Sequence, residues 1–251
     1  MRSKALLWLE WASKRLGHWR LHNRGQPQLD TDGFDNSDLR GYPNNHNYVI
    51  DDDRMIPGFD LYFRSQILSS LYTDPLGSLL DIGSCKGWFV LDAAVKSGCE
   101  HAVGIDVHEP YVSLAEKVRK FRGIENVAFH AVFLRELFKD PAQFGAPFKN
   151  VLIINTYHYL FWGSVLSSTR FDSHDEIIEG LARICSDRVI FANPLALPDS
   201  PRETRTIAAT EPERAAQYTV DGFLKAASKY FRIEDRGNIG KRNLLVLNRI
   251  Q

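Results

Sequence analysis

Short apolar stretches alternate with amphipathic segments along most of this chain. The apolar stretches have the length of strands, and the segments between them carry apolar residues at helical spacing. The predicted strands cover residues 78–82, 102–106, 127–130, 150–155, 188–193, 231–236 and 243–250. The predicted helices cover residues 58–72, 88–96, 109–122, 172–185 and 219–230. This alternation indicates a parallel sheet with helices on its faces, and hence an α/β fold.

The first 57 residues lack this alternation. Residues 2–20 predict a helix with a broad apolar side and many basic residues, whereas residues 26–60 are rich in Asp, Gly, Asn and Pro. We therefore expect an N-terminal extension, 1–57, made of a basic helix and an acidic lid loop, ahead of one domain that spans 58–251. The helix either packs across that domain or makes a weak contact with a membrane surface or with RNA.

Neither the acidic residues nor the cysteines form a metal-binding pattern. The run Asp30-Thr-Asp-Gly33 is similar to the start of a calcium loop, but the remaining ligand spacing and the closing Glu are absent. The three cysteines, Cys85, Cys99 and Cys185, have neither Cys-x-x-Cys spacing nor the number needed for a disulfide framework. No metal site is predicted, and a reducing compartment is favoured.

Composition narrows the class of protein further. A chain of 251 residues, 44% of them hydrophobic, is long and apolar enough to form the core of one α/β domain with a small appendage. The formal net charge is +0, so no global field attracts nucleic acid. No apolar run approaches the roughly 20 residues that span a bilayer, and the apolar N-terminal stretch lacks a cleavage site. We therefore expect a soluble, cytoplasmic protein.

The segment Ser78 to Val90 carries the strongest chemical signal. A short buried strand runs into a turn with glycines at 83 and 87, and a helix starts near Gly87. Glycines permit positive φ angles and close backbone approach, and a helix N-terminus offers free N–H groups and partial positive charge. Such a turn holds a polar or anionic group of a ligand at the carboxyl edge of a parallel sheet. Asp81 just before the glycines disfavours a dinucleotide, because the pyrophosphate would face a carboxylate.

This segment resembles motif I of the class I S-adenosylmethionine-dependent methyltransferases, whose pattern is roughly Asp/Glu-x-Gly-x-Gly-x-Gly. Asp81, Gly83 and Gly87 match, while Cys85 stands at the middle glycine. Gly104-Ile-Asp-Val resembles the second motif, and Asp106 lies about 20 positions past the glycines, where a carboxylate accepts hydrogen bonds from ribose hydroxyls. The cofactor-binding residues that the resemblance implies are Asp81, Gly83, Ser84, Cys85, Lys86, Gly87, Asp106, Val107 and Asn155.

The resemblance covers residues 58–250 and implies a Rossmann-like fold. Its sheet has seven mostly parallel strands, and its last strand is inserted antiparallel. The family often places an acidic residue after the third strand for the adenine amino group. This chain has Ala131-Val132-Phe133 there, which leaves the adenine contact unassigned.

Polar and aromatic residues that follow the fourth predicted strand form the expected acceptor side. His158 can act as a general base near neutral pH, and Tyr157 is the second catalytic candidate. Tyr48, Tyr159 and Arg64 are predicted to contact substrate. For each of these side chains the alternative is ordinary packing or a solvated surface position.

The resemblance implies a methyltransferase that uses S-adenosylmethionine and acts on a small-molecule acceptor, such as a natural product or lipid. The main alternative is a tRNA or RNA methyltransferase, or a carboxymethyltransferase-like enzyme. The basic residues in 2–20 and 202–214 favour RNA, and the acidic loop and zero net charge disfavour it. A non-catalytic scaffold of the same fold and an NAD-binding oxidoreductase are the remaining alternatives.

Overall fold

The computed structural model describes Ala12, residues 35–51 and residues 54–250. Apart from Ala12, which is helical, the predicted basic helix over 2–20 lies outside the described residues, as does the acidic run 30–33. The chain forms two compact units, Met1–Ser70 with Lys120–Gly123, and Leu71–Arg119 with Ile124–Gln251. The predicted boundary between 57 and 58 stays a prediction.

The described part of the first unit contains helix α1 (Ser37–Arg40), strands β1 (Tyr48–Asp51) and β2 (Arg54–Pro57), and helix α2 (Phe59–Ser69). β1 and β2 pair antiparallel, so the expectation of a loop throughout 26–60 is wrong for these residues. The side chain of Asn36 hydrogen-bonds both the N–H and the carbonyl of Ile50, at 2.7 and 2.9 Å. It thus satisfies backbone groups of β1 that β2 does not reach, a contact that sequence periodicity does not reveal.

The second unit contains the seven remaining strands. They are β3 (Gly77–Ile82), β4 (Cys99–Asp106), β5 (Val127–Ala131), β6 (Phe148–Ile154), β7 (Cys185–Asn193), β8 (Phe231–Ile239) and β9 (Arg242–Arg249). Their order is β5-β4-β3-β6-β7-β9-β8. The first five pair parallel, and β9 is inserted antiparallel between β7 and β8. The predicted seven-stranded, mostly parallel sheet is confirmed, including its antiparallel ending.

The helices of the chain after β3 are α3 (Trp88–Ala94), α4 (Glu109–Phe121), α5 (Leu134–Lys139), α6 (Tyr157–Trp162), α7 (His174–Ile184), α8 (Arg202–Ala208), α9 (Pro212–Gln217) and α10 (Val220–Ala227). Ser173 caps α7, because its hydroxyl accepts a hydrogen bond from the Glu176 N–H at 3.2 Å. α5, α6, α8 and α9 were not predicted. They are short, and their apolar residues fill less than two turns, too few for a recognisable period.

The core of the second unit lies against the sheet. Every residue of β3 is buried, as expected for a central parallel strand with both faces covered. α3 packs against β3 and β4, and α7 packs against β7 and α10. None of the helices described for 35–51 and 54–250 combines the length and apolarity that a bilayer crossing demands.

Candidate functional site

The carboxyl ends of β3, β4 and β6 meet at one edge of the sheet. β3 lies between β4 and β6. The strands β4 and β5 are added on one side of β3, and β6 and β7 are then added on its other side, so the strand order reverses at β3. Ligands of open parallel sheets bind in the crevice at such a reversal. The turn 83–87 follows β3, Asp106 ends β4 and Asn155 follows β6, so the structure brings these predicted residues to the same edge.

The turn after β3 depends on left-handed backbone positions. Gly83 and Gly87 have φ +78 each, and Cys85 between them has φ 50. A Cβ on Gly83 would lie 2.2 Å from the Thr156 hydroxyl oxygen, so only glycine fits there. Cys85, at the middle position of the turn, therefore adopts a left-handed conformation that glycine would adopt at lower cost.

Asp106 holds this turn in place. One carboxylate oxygen accepts a hydrogen bond from the Cys85 N–H at 2.9 Å, and the other accepts from the His108 N–H at 2.9 Å. Burial raises the pKa of Asp106, and these hydrogen bonds oppose that change. Each carboxylate oxygen has a second lone pair, so Asp106 still has acceptor capacity for two ribose hydroxyls.

Two buried polar atoms beside this turn have no hydrogen-bond partner in the described structure. They are the Ser84 hydroxyl oxygen and the Nδ1 atom of His108. A buried polar atom without a partner costs about 1–3 kcal/mol, so a polar ligand that reaches Ser84 and His108 would stabilise the site. The residues therefore fit a nucleoside cofactor. His108 was not predicted as a site residue, and its position directly after the second motif was the available signal.

The other predicted cofactor residues differ in exposure. Asp81 and Lys86 are buried, whereas Val107, directly after β4, is 39% exposed. Burial lowers the pKa of Lys86. These placements are compatible with cofactor binding, which stays a prediction for each of the three.

Asn155 follows β6 with a positive φ of 55. Its N–H donates to the Ala192 carbonyl at 2.9 Å, and its side-chain oxygen accepts from Nε of Arg242 at 3.1 Å. Arg242 is 87 positions away in sequence and begins β9. The sequence contains no local signal for this contact, because it exists only through the insertion of β9 beside β7.

Asn193, at the end of β7, positions the start of α6. Its side-chain oxygen accepts from the N–H groups of Thr156 and Tyr157, at 2.7 and 2.9 Å. Its amide group donates to the Ile153 carbonyl at 2.6 Å. The side chain is wholly buried, so these hydrogen bonds fix the backbone that carries His158.

His158 has 0% exposure, and neither of its ring nitrogens has a hydrogen-bond partner in the described structure. Burial, followed by the charge of Arg242, lowers its pKa to about 3. The imidazole is therefore neutral at pH 7. The pKa of an exposed histidine does not apply to this ring, since desolvation of a buried cation was not visible in sequence. A catalytic role for His158 stays a prediction.

Tyr157 packs in the core. Its hydroxyl hydrogen-bonds Nδ1 of His174 at 2.6 Å, and its ring contacts Phe191 and Phe223 edge-on. Burial raises the pKa of Tyr157 well above its usual range. These contacts account for Tyr157 structurally, and its predicted catalytic role remains untested.

The three predicted substrate contacts have different surroundings. The Tyr159 ring lies 4.0 Å from the His158 ring, centroid to centroid. Tyr48 is buried in β1 and Arg64 on α2, both in the first unit. The Arg64 guanidinium donates to the carbonyls of Asp60 and Asn45. Substrate contact stays a prediction for all three.

No protein-family model matches the chain. A curated tRNA (guanine-N(7)-)-methyltransferase of Prochlorococcus marinus (strain NATL2A) is 44% identical over 50 residues, and the counterpart of strain NATL1A is equally similar. The match covers 20% of this chain and 23% of the relative, so the chain spans about a quarter of the length of the curated relatives it matches.

Several solved structures share the fold. The PH0226 protein from Pyrococcus horikoshii OT3 is similar with a TM-score of 0.54 and 17% identity, over 87% of this chain and 100% of that one. An O-methyltransferase from Bacillus cereus in complex with SAH has a TM-score of 0.51 and 14% identity, over 75% and 81%. The bifunctional kinase-methyltransferase WbdD has a TM-score of 0.52 and 16% identity, over 74% and 39%. At these identities the likeness is one of fold.

Proposed function

We propose that this chain, which has the Rossmann-like class I methyltransferase fold, is an enzyme that transfers a methyl group from S-adenosylmethionine to a small-molecule acceptor. The observation that carries the proposal is the turn 83–87. It has left-handed glycines, a carboxylate from Asp106 hydrogen-bonded across it, and a buried Ser84 hydroxyl without a partner. A polar ligand held in this turn would supply the partner that the Ser84 hydroxyl lacks.

Each group at the sheet edge has a role in this proposal. Asp106 accepts hydrogen bonds from the ribose hydroxyls, and Ser84 and His108 contact polar atoms of the cofactor. Bound S-adenosylmethionine supplies a methyl carbon activated by its attachment to a sulfonium. The chain contributes orientation and exclusion of water, because methyl transfer depends on alignment of the acceptor with the methyl–sulfur bond. In this proposal Asn155 and His158 are assigned to the acceptor side.

Two observations favour a small acceptor over RNA. The formal net charge of the chain is +0, so it lacks the excess positive charge that draws proteins to a phosphate backbone. The similarity to tRNA methyltransferases covers only 23% of their length. That similarity is nevertheless the reason to keep tRNA as the second candidate. Binding of tRNA that weakens steeply with salt would favour it.

Calorimetric titration with S-adenosylmethionine, S-adenosylhomocysteine and NAD tests the proposal. We expect both sulfur nucleosides to bind and NAD not to bind. Asp106→Asn weakens that binding about tenfold or more, because the amide offers one acceptor oxygen in place of two. Asp221→Asn, on the exposed side of α10, is the matched control and leaves binding unchanged. If neither sulfur nucleoside binds to the folded protein, the proposal is wrong.

A further inference from the structure

A cavity of about 450 Å³ lies between helix α10 and the two outer strands of the sheet, β8 and β9. Its walls come from the segment after β7, from α10 and from both strands, all within the second unit. Its apolar lining residues are Leu195, Val220, Leu224, Ile233 and Leu245. This volume and this apolar lining are typical of sites that bind small molecules.

α10 contributes to the cavity because it carries two apolar rows. The first row, Phe223, Ala226 and Ala227, is buried in the core. Val220 and Leu224 lie four residues apart, so they form a second row along the helix, and this row lines the cavity. Both residues are only half-buried. The second row therefore presents apolar surface that the described part of the chain leaves partly uncovered.

The sheet face opposite α10 changes from apolar to charged along β8. Side chains alternate along a strand, so Phe231, Ile233 and Asp235 share one face. Phe231 is buried, Ile233 is half-buried and Asp235 is exposed. The eight residues of α10 span about 12 Å, whereas the nine residues of β8 span about 30 Å. The helix is too short to cover the strand, and the cavity lies beside the part that remains.

The rim of the cavity carries one positive and one negative side chain. They are Lys225 on α10 and Asp235 on β8, and both are exposed. One Asp235 carboxylate oxygen accepts a hydrogen bond from the Gly237 N–H at 2.7 Å, which orients the carboxylate. No ion pair joins Lys225 to Asp235 in the described structure, whereas Glu234 beside them pairs with Arg236. The two walls of the cavity therefore present opposite charges that do not neutralise each other in direct contact.

The cavity is separate from the proposed cofactor site. Asn243, which also lines it, accepts a hydrogen bond from the Leu195 N–H at 3.3 Å through its side-chain oxygen. Asn243 pairs with Asn193 at the end of β7, so this part of the cavity lies near the carboxyl edge of the sheet. β9 is nevertheless three strands away from β3, a distance of about 14 Å. A ligand in the cavity does not occupy the turn 83–87.

We propose that this cavity is a second ligand site, and that it binds a small zwitterion with a large apolar side group, such as an apolar or aromatic amino acid. The carboxylate of the ligand pairs with Lys225, its ammonium group pairs with Asp235, and its side group contacts the apolar walls. A ligand with a single charge gains one of these pairs and meets a like charge on the opposite wall. The site goes beyond the proposed methyl transfer and does not depend on it.

The test uses three probes that share one ring system. Tryptophan carries both charges, indole-3-propionate only the negative one and tryptamine only the positive one. Each is titrated into the protein with and without saturating S-adenosylhomocysteine, and the leucine and valine methyl groups are followed by NMR. We expect the methyl signals of Val220, Leu224 and Leu245 to shift, and those of Leu79 in β3 to stay unchanged. Tryptophan is expected to bind about threefold or more tightly than either other probe, since ion pairs at an exposed rim are weak.

Two variants assign the preference to the two charges. Lys225→Gln is expected to abolish the preference for tryptophan over tryptamine, and Asp235→Asn the preference for tryptophan over indole-3-propionate. Each variant is the control for the other, because each removes a different preference. Lys139→Gln is a further control, since it makes the same charge change as Lys225→Gln on α5, where the side chain is 65% exposed. This control keeps both preferences.

A third variant fills the cavity. Ser228 continues the row of Val220 and Leu224, lines the cavity and is exposed, so Ser228→Trp places an indole there without disturbing the core. We expect this variant to lose the methyl shifts that tryptophan causes. Circular dichroism establishes that each variant is folded.

Three results would overturn the proposal. The first is the absence of methyl shifts around the cavity with every probe, or equal affinity for all three. The second is a tryptophan response that S-adenosylhomocysteine removes, because the probe would then occupy the cofactor site. The third is a dimer in sedimentation that Ser228→Trp disrupts, because a second copy of the chain would then cover the cavity. Failure of S-adenosylhomocysteine to bind counts against the proposed function alone, since the titrations without it still test the cavity.

Discussion

Gly83 is the position where the turn after β3 meets the segment after β6, and Gly83→Ala tests that contact. The new Cβ would lie 2.2 Å from the Thr156 hydroxyl oxygen, 2.8 Å from its methyl carbon and 3.0 Å from its Cβ. The φ of Gly83 is +78, which costs an L-residue about 1–2 kcal/mol. Overpacking adds about 1–3 kcal/mol. We therefore expect the free energy of unfolding to fall by roughly 2–5 kcal/mol.

Two further substitutions separate these contributions. Gly237 has a φ of +84 and no atom within 4 Å of an added Cβ, so Gly237→Ala reports the backbone cost alone. Thr156→Gly removes all three atoms that crowd Gly83. In the double variant Gly83→Ala with Thr156→Gly, the overpacking cost disappears and the backbone cost remains. The coupling energy of this double-mutant cycle is therefore expected to be about 1–3 kcal/mol.

Urea unfolding followed by circular dichroism measures all four variants against the parent chain. Titration with S-adenosylhomocysteine shows whether the displaced turn also weakens ligand binding, which we expect for Gly83→Ala and not for Gly237→Ala. The reasoning fails if Gly83→Ala costs no more than Gly237→Ala. It also fails if the cycle shows no coupling, because Thr156 would then not define the space at Gly83.

Three further predictions concern the same edge of the sheet. Cys85→Gly removes the cost of the left-handed φ of 50, but glycine has more freedom in the unfolded chain, and the two effects oppose each other. We therefore expect the free energy of unfolding to change by less than about 1 kcal/mol and the S-adenosylhomocysteine affinity to be retained. A large loss of affinity would mean that the thiol contacts the ligand. Asn193→Ala leaves backbone groups of Ile153, Thr156 and Tyr157 without their hydrogen-bond partner. We expect the free energy of unfolding in urea to fall by about 3 kcal/mol or more. Asn238 is exposed, so Asn238→Ala is the control and is expected to leave that energy almost unchanged. His158 has a pKa of about 3 in the folded chain and near 6.5 in the unfolded one, so only the unfolded state takes up this proton between those values. The contribution of His158 to the free energy of unfolding is therefore full above pH 6.5, and it falls by roughly 2–3 kcal/mol by pH 4.5. We expect the free energy of unfolding of His158→Asn to depend less on pH than that of the parent chain. An equal pH dependence of the two would contradict the pKa of about 3.

Local patterns were sufficient to predict the sheet and the turn 83–87. A buried strand is recognisable because most of its residues are apolar when both faces are covered, as Leu79, Leu80 and Ile82 are in β3. The turn is recognisable because left-handed positions favour glycine. Asp106 is recognisable because one helix and one strand set its distance in sequence from that turn. These features depend on residues close together in sequence, so spacing alone specifies them.

Tertiary structure determined the remainder of the site. Arg242 reaches Asn155 only because β9 is inserted beside β7, and Asn193 positions α6 from the neighbouring strand. The pKa of His158 follows from complete burial near Arg242, and neither condition is encoded near residue 158. The β1–β2 hairpin is likewise stabilised by Asn36 across a separation of 14 residues. Contacts between residues far apart in sequence depend on strand order and packing, and hydrophobic periodicity predicts neither of them.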